Sequence, residues 1–130
     1  MEKYINDKYV YSELSSRIIG AAFEVQNGAG VGRPEKTYQK LMATEFKIRQ
    51  LKYKEQVIAR IEYKGANIGK RIFDFVVEEK VVVELKVGNR FARSDFEQIY
   101  EYLRMSGLQL GLLILFTSSG VKIKRIPNLK

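Results

Sequence analysis

Apolar residues first recur at spacings of three and four. Leu14, Ile18, Ala21, Ala22 and Val25 make one stripe, which predicts a helix from Tyr11 to about Gln26 with Ser12 as its N-cap. The glycine-rich stretch Asn27–Pro34 (NGAGVGRP) ends it. A second helix is expected from about Glu35 to Gln50, with Pro34 in its first turn and Tyr38, Leu41, Met42, Glu45 and Ile48 on or near one face. The period then changes to two. Tyr53–Tyr63 reads as a strand with Val57, Ala59, Ile61 and Tyr63 on one side, and Lys64–Asn67 as a turn. The run IFDFVVEEKVVVELK, Ile72 to Lys86, reads as two further strands and completes an antiparallel meander. Ser94-Asp95-Phe96-Glu97 has the pattern of a capping box, opening a helix that runs to about Met105 and stops at Gly107. Its stripe is Phe96, Ile99, Tyr100 and Leu103. Leu110–Phe116 is continuously apolar, as in a strand buried on both faces, and Val121–Ile126 is a short basic strand. The expected class is α/β: a central mixed β-sheet flanked by helices, in the order α-α-β-β-β-α-β-β and as one domain.

The central hairpin carries charges that its apolar character does not call for. With Glu78-Glu79-Lys80 as its loop, pairing is symmetric about Glu79 and sets Asp74 opposite Glu84. Alternation places Asp74 on the face of Ile72 and Val76, and Lys86 lies a diagonal step away. A two-residue turn would send these side chains to the wrong faces. Neighbouring carboxylates in a half-buried place repel one another and lose hydration. A divalent cation offsets both costs, and a lysine beside it can orient water or stabilise charge on a phosphate. The ordinary alternative is a Glu84–Lys86 ion pair on an edge strand. The aspartate at the matching position, inside a hydrophobic run, favours the functional reading.

Composition narrows the chemistry. The 130 residues include no Cys and no His, which excludes disulfides, Ser-His or Cys-His catalysis and zinc sites built on thiolate or imidazole. Acid–base work falls to Asp, Glu, Lys or Tyr. The formal net charge of +8 favours a polyanionic partner. No apolar run is long enough for a membrane span, and the N-terminal MEKYINDKYVYSE lacks the apolar core of a signal peptide, so a cytoplasmic protein with no membrane partner is expected.

Other positions are less specific. Glu24 and Arg17, seven apart, sit on the flank of the first stripe, and Glu24 either is solvated there or reaches the sheet edge. Glu35 opens the second helix, where the helix dipole alone is reason enough for it. Gln98 and Tyr102, four apart, neighbour each other on a separate side of the third helix: surface decoration, or a polar face turned towards the hairpin. The glycine loop lacks the lysine and preceding strand of a phosphate-binding loop.

Together, Asp74, Glu84-Leu85-Lys86 and Gln98-x-x-x-Tyr102, with a leading helix and a βαβ crossover, resemble the PD-(D/E)xK nuclease superfamily. The Gln–Tyr pair is similar to that of RecB-type and Cas4-type nucleases. More narrowly the chain resembles the GxxExxY proteins, through Gly32-Arg33-Pro34-Glu35-Lys36-Thr37-Tyr38 and the helix Ile18–Val25. Phe73 stands in place of the proline before the aspartate, Gln26 where many relatives have His, and GAGVG where Leu-Gly-Pro-Gly is usual. The resemblance implies a restriction-endonuclease-like core and Mg²⁺- or Mn²⁺-dependent phosphodiester cleavage. Asp74 and Glu84 would bind metal, joined by Glu35 or Glu24. Lys86 would position or activate water, and Gln98 and Tyr102 would complete the site. It further implies nucleic acid as partner, DNA ahead of RNA, and a homodimer is one way for a domain this small to hold a duplex. The competing readings are a catalytically weak nucleic-acid-binding or regulatory module on the same fold, and an assembly protein whose acidic cluster is an ion-pair network.

Overall fold

The computed structural model describes residues 11–129; residues 1–10, most of the segment read for a targeting signal, lie outside them. Three helices and five strands follow in the expected order: α1 (Ser12–Ala29), α2 (Glu35–Ile48), β1 (Tyr53–Tyr63), β2 (Ala66–Val77), β3 (Val81–Val87), α3 (Arg93–Ser106), β4 (Leu110–Thr117) and β5 (Gly120–Pro127). The strands form one mixed sheet in sequence order, antiparallel except where α3 carries the chain from β3 to a parallel β4. No helix among the described residues is long and apolar enough to cross a membrane.

The sheet has a helical layer on each face. On one, Ile18, Ala22 and Val25 of α1 and Tyr38, Met42 and Phe46 of α2 pack with Phe75, Val77, Val83, Leu85, Leu112 and Ile114. On the other, Ile99 and Leu103 of α3 pack with Phe73, Val76, Val82, Leu113 and Ile126. β4 is buried along its whole length, as its continuous apolar run requires.

Two helix starts differ from expectation. Tyr11, in a left-handed conformation, precedes α1, and Ser12 is already helical. Ala92 precedes α3, with no side-chain cap, and Glu97 instead pairs with Arg93 at 3.2 Å. At α3 the glutamate of the expected capping box is taken up instead by an i,i+4 ion pair. α1 also runs through Gly28 to Ala29, leaving only residues 30–34 as loop. Ile48, expected on the apolar face of α2, is exposed, and Phe46 takes the core position.

The β2–β3 hairpin closes through the three residues Glu78, Glu79 and Lys80, with Val77 opposite Val81, Val76 opposite Val82 and Phe75 opposite Val83. Glu78 and Glu79 both have positive φ, unfavourable for residues with a Cβ. The Glu78 N–H and carboxylate compensate by bonding the Lys52 carbonyl and N–H, both at 2.8 Å, which ties the hairpin tip to the entry of β1.

Strict alternation fails at one place. Phe73 and Phe75 are two apart, yet they pack in opposite layers. Between them Asp74 faces Gln56, which has φ 51° and leaves a gap in the β1–β2 pairing between Glu55–Phe75 and Val57–Phe73. A local twist in both strands therefore turns the outer part of the β1–β2 ribbon over.

α3 sits close to the sheet because residue 111 has no side chain. A Cβ there would lie 2.5 Å from a methyl of Ile99 and 3.2 Å from one of Val82. Both partners are buried and branched, so the contact has no soft end to yield. Gly111→Ala is expected to destabilise the fold by about 1–3 kcal/mol in denaturant titration.

Candidate active site at the parting of β2 and β3

The ladder between β2 and β3 stops after Phe75 and Val83. Beyond it, side chains replace the backbone acceptors. The Asp74 N–H donates to Glu84 Oε1 at 2.9 Å, and the Leu85 N–H donates to Asp74 Oδ2 at 2.8 Å. The three-residue loop thus brings Asp74 beside Glu84, but in a splayed geometry and not as a flat cross-strand pair. Asp74 is 6% exposed, low for an ionisable residue, and its remaining oxygen accepts from the Gln39 amide at 2.8 Å.

Gln39 reaches in from α2, one turn after Glu35. Its amide also lies 3.3 Å from Glu35 Oε2, so a single NH₂ group links the Glu35 and Asp74 carboxylates. Glu35, Asp74, Glu84, Lys86 and Asp95 all act electrostatically within this group. Glu24 does not enter it: it is exposed on α1, and among the described residues no hydrogen bond or ion pair ties it to the group. Arg17, its expected neighbour, instead bonds the Arg49 carbonyl at 2.8 Å. Lys86 lies 3.7 Å from Asp95 at the start of α3, and among the described residues it forms no ion pair with Glu84 or Asp74.

Burial sets the proton affinities. Glu84 is pushed up to about 8 from the usual 4.5, first by burial and then by the Asp74 charge. Asp74 is raised by burial, against the bonds from Leu85 and Glu84, the charge of Lys86 and a bond with Gln56. Burial raises Glu35 as well. Since both Asp74 oxygens already accept bonds, the proton of the cation-free pair rests on Glu84.

Gln98 and Tyr102 line the inner end of a second feature, between α3 and the outer β1–β2 ribbon. There an open groove of about 930 Å³ is bordered by Arg60, Arg71, Gln98, Glu101 and Arg104, among others. Tyr102 packs on Phe73, the residue before Asp74, with ring centroids 4.7 Å apart. Burial raises its phenol above the usual range, so it stays a neutral hydroxyl at physiological pH. The structure thus gathers Asp74, Glu84, Lys86 and Glu35 in one group, and puts Gln98 and Tyr102 beside it through Phe73.

The glycine loop is fixed by Tyr38. Its hydroxyl donates to the Gly30 carbonyl at 2.7 Å, and its ring stacks parallel to Phe116 at 4.0 Å. Gly30 and Gly32 have φ 85° and 77°, which only glycine adopts without strain. Tyr38 and Glu35, one turn apart, therefore join the loop to the acidic group.

A family model described as the PD-(D/E)XK nuclease superfamily matches residues 12–126. The chain belongs to that superfamily. Its restriction-endonuclease-like fold agrees with a solved structure titled "Crystal structure of SSO0001", which is 16% identical with a TM-score of 0.55, and the match covers 92% of this chain and 58% of that one. This chain thus spans less than two thirds of that neighbour's length. No curated protein gives a match.

Superfamily members typically use a divalent cation, and the donor set fits one in part. Asp74 and Glu84 offer adjacent carboxylates of high proton affinity, suited to a hard cation that keeps several waters. Among the described residues no three acidic side chains converge closely enough to form a cage. Sequence reasoning missed Gln39, Gln56 and Asp95 as members of the group. Gln39 had one available signal, its i,i+4 spacing from Glu35. Gln56 had none, since its part depends on its own left-handed backbone.

The pH dependence of the cation-free protein follows from Glu84. Folding raises its pKa, so the folded chain holds a proton that the unfolded chain releases. That stabilisation is full below the usual 4.5 and is lost as pH rises through about 8. The melting temperature in chelator is expected to fall by several degrees across this window. Glu84→Gln, which keeps an acceptor for Asp74 N–H and carries no charge, is expected to flatten the curve. A melting temperature rising over the same window would contradict the assignment.

Proposed function

We propose that the protein is a metal-dependent nuclease that hydrolyses phosphodiester bonds, with DNA as substrate, and that it is of the GxxExxY kind. The observation that supports this best is the exchange of bonds between Asp74 and the β3 strand. A buried aspartate and a half-buried glutamate are held side by side, with a lysine on the glutamate's strand, where a purely structural strand would carry apolar residues.

In this reading Asp74 and Glu84 hold Mg²⁺ or Mn²⁺, and Glu35 stands behind them through the shared Gln39 amide. Bound there, the cation supplies Lewis-acid polarisation of the phosphate and lowers the pKa of its water. The chain's own groups do the rest. Glu84 gives up its proton to take the charge state that a cation needs. Lys86, held towards Asp95, offers its ammonium to a water or a phosphate oxygen. Tyr102 and Gln98 present a neutral hydroxyl and an amide to the substrate backbone from the wall of the groove. The Gly32–Tyr38 segment acts as a structural clasp that sets the start of α2, and so Glu35 and Gln39, against Asp74.

A second reading, a binding module with little chemistry, has one observation in its favour: protein donors already satisfy both oxygens of Asp74. The two readings separate in one experiment. Mn²⁺ titration by calorimetry and cleavage of plasmid and single-stranded DNA are run on the wild type, Asp74→Asn and Lys86→Met. The nuclease reading expects Asp74→Asn to lose Mn²⁺ binding and at least about a hundredfold in cleavage rate. It expects Lys86→Met to bind Mn²⁺ normally while cleaving about a hundredfold more slowly. A folded wild type that takes up no Mn²⁺ and cuts neither substrate would leave the binding module standing instead.

A further inference from the structure

The outer part of the β1–β2 ribbon is built against its own stability. Pairing sets Arg60 directly opposite Lys70, with Ile58 opposite Ile72 one step closer to Asp74. Like charges directly opposite on antiparallel strands repel. Both cations are exposed, and neither forms an ion pair among the described residues. Between residues 58 and 72 the ribbon carries Arg60, Lys64, Lys70 and Arg71 against the single acid Glu62. Arg71 is on the other face, and its buried Nε has no hydrogen-bond partner among the described residues. The pairing shifts between Ile61 and Glu62, and such irregularities bend and twist a ribbon.

Position matters as much as charge. Val57, Ala59 and Phe73 pack towards α3, so alternation turns Ile58, Ile72 and Lys70 to the face of α2, from which Gln39 reaches Asp74. Arg60, on the edge strand, shares that face and also borders the α3 groove. Lys70 is four residues from Asp74 on one strand, which at about 3.3 Å per residue is ~13 Å. A nucleic-acid strand carries a phosphate for about every 3.4 Å of B-form rise. A backbone with one phosphate over Asp74 therefore passes the Arg60–Lys70 pair within a few nucleotides.

We propose that the ribbon is a backbone grip: Arg60 and Lys70 together hold a phosphate of the nucleic-acid strand whose scissile phosphate is presented to Asp74 and Glu84. Ile58 and Ile72 form the apolar floor between the two points. The inference rests on the nuclease reading and adds to it the place where substrate is held. A protein partner covering this face would have to bury two like charges side by side, a costly arrangement. A solvated polyanion relieves their repulsion.

The test uses the full chain in chelator, so that cleavage does not intervene. Fluorescence anisotropy follows binding of a labelled DNA duplex, and of the corresponding single strand, over a range of salt. Arg60→Gln with Lys70→Gln is compared with Lys40→Gln plus Lys47→Gln, exposed positions on α2 with the same change in net charge. The grip predicts that the ribbon variant loses about tenfold or more in affinity while the α2 variant changes little. It also predicts that the slope of log affinity against log salt falls by about one to two. Relief of the repulsion should leave the melting temperature of the ribbon variant unchanged or higher, which excludes misfolding as the cause. Which probe binds tells whether the gripped strand is single or in a duplex. Equal affinities for the two variants, with wild-type binding intact, would overturn the grip and leave the nuclease reading in place. A wild type that binds neither probe would overturn the grip, while the nuclease reading is decided by Mn²⁺ uptake and cleavage. Loss of a dimer in sedimentation, without loss of DNA binding, would assign the ribbon to contact between copies and overturn the grip.

Discussion

Everything in the candidate site depends on what happens where β2 leaves β3. Two strands that part must strand backbone N–H groups, and an unpaired buried N–H is costly. Here the N–H groups of Asp74 and Leu85 are satisfied by the carboxylates of Glu84 and Asp74. The acids are therefore structural and chemical at once. They close the end of the ladder, and in doing so are held with fixed orientation in a place from which much of the water has been removed. That is the condition under which a carboxylate's proton affinity rises, and Glu84 at about 8 reports it.

The elements around this point read as supports for it. α2 supplies Glu35 and Gln39, and its starting position is fixed by Tyr38, which is stacked on Phe116 of β4 and bonded to the glycine loop. α3 supplies Asp95, Gln98 and Tyr102, and its height above the sheet is fixed by the missing side chain at Gly111. The hairpin loop sets register, and the first of its strained glutamates, Glu78, is anchored to Lys52. Each support comes from a different element, so the site exists only in the folded sheet.

The fold was largely legible because period and burial agree along this chain. A 3.6 pattern gives way to a period of two at Tyr53, and β4 announces its burial on both faces by an unbroken apolar run. The proximity of Asp74 and Glu84 was legible too, since a three-residue loop leaves one register. What was hidden arises from three-dimensional context. Alternation predicts that Asp74 shares a face with Val76, but the twist at Gln56 and Asp74 breaks the period, and no residue there signals it. That Glu35 and not Glu24 lies beside Asp74 depends on where α1 and α2 lie across the sheet, which spacing within one helix cannot contain. Gln39 was missed because a glutamine on a helix flank is ordinary until its partner, 35 residues away, is known. The expected cap of α3 failed for the opposite reason: the local signal was present, but Glu97 is taken up by Arg93.

The twist at Asp74 joins the two halves of the functional argument. Were β1 and β2 to alternate regularly, Phe73 and Phe75 would lie in one layer, and the face bearing Lys70 and Arg60 would turn towards α3. By reversing the ribbon at the aspartate, the chain buries Phe73 under Tyr102 and presents the cation pair on the side from which α2 reaches the site. The same irregularity that parts the strands and exposes backbone N–H groups to the carboxylates thus also aims the ribbon. The proposed acidic chemistry and the proposed grip would both draw on one local departure from β geometry, whose freed polar groups are taken up by Asp74 and Glu84.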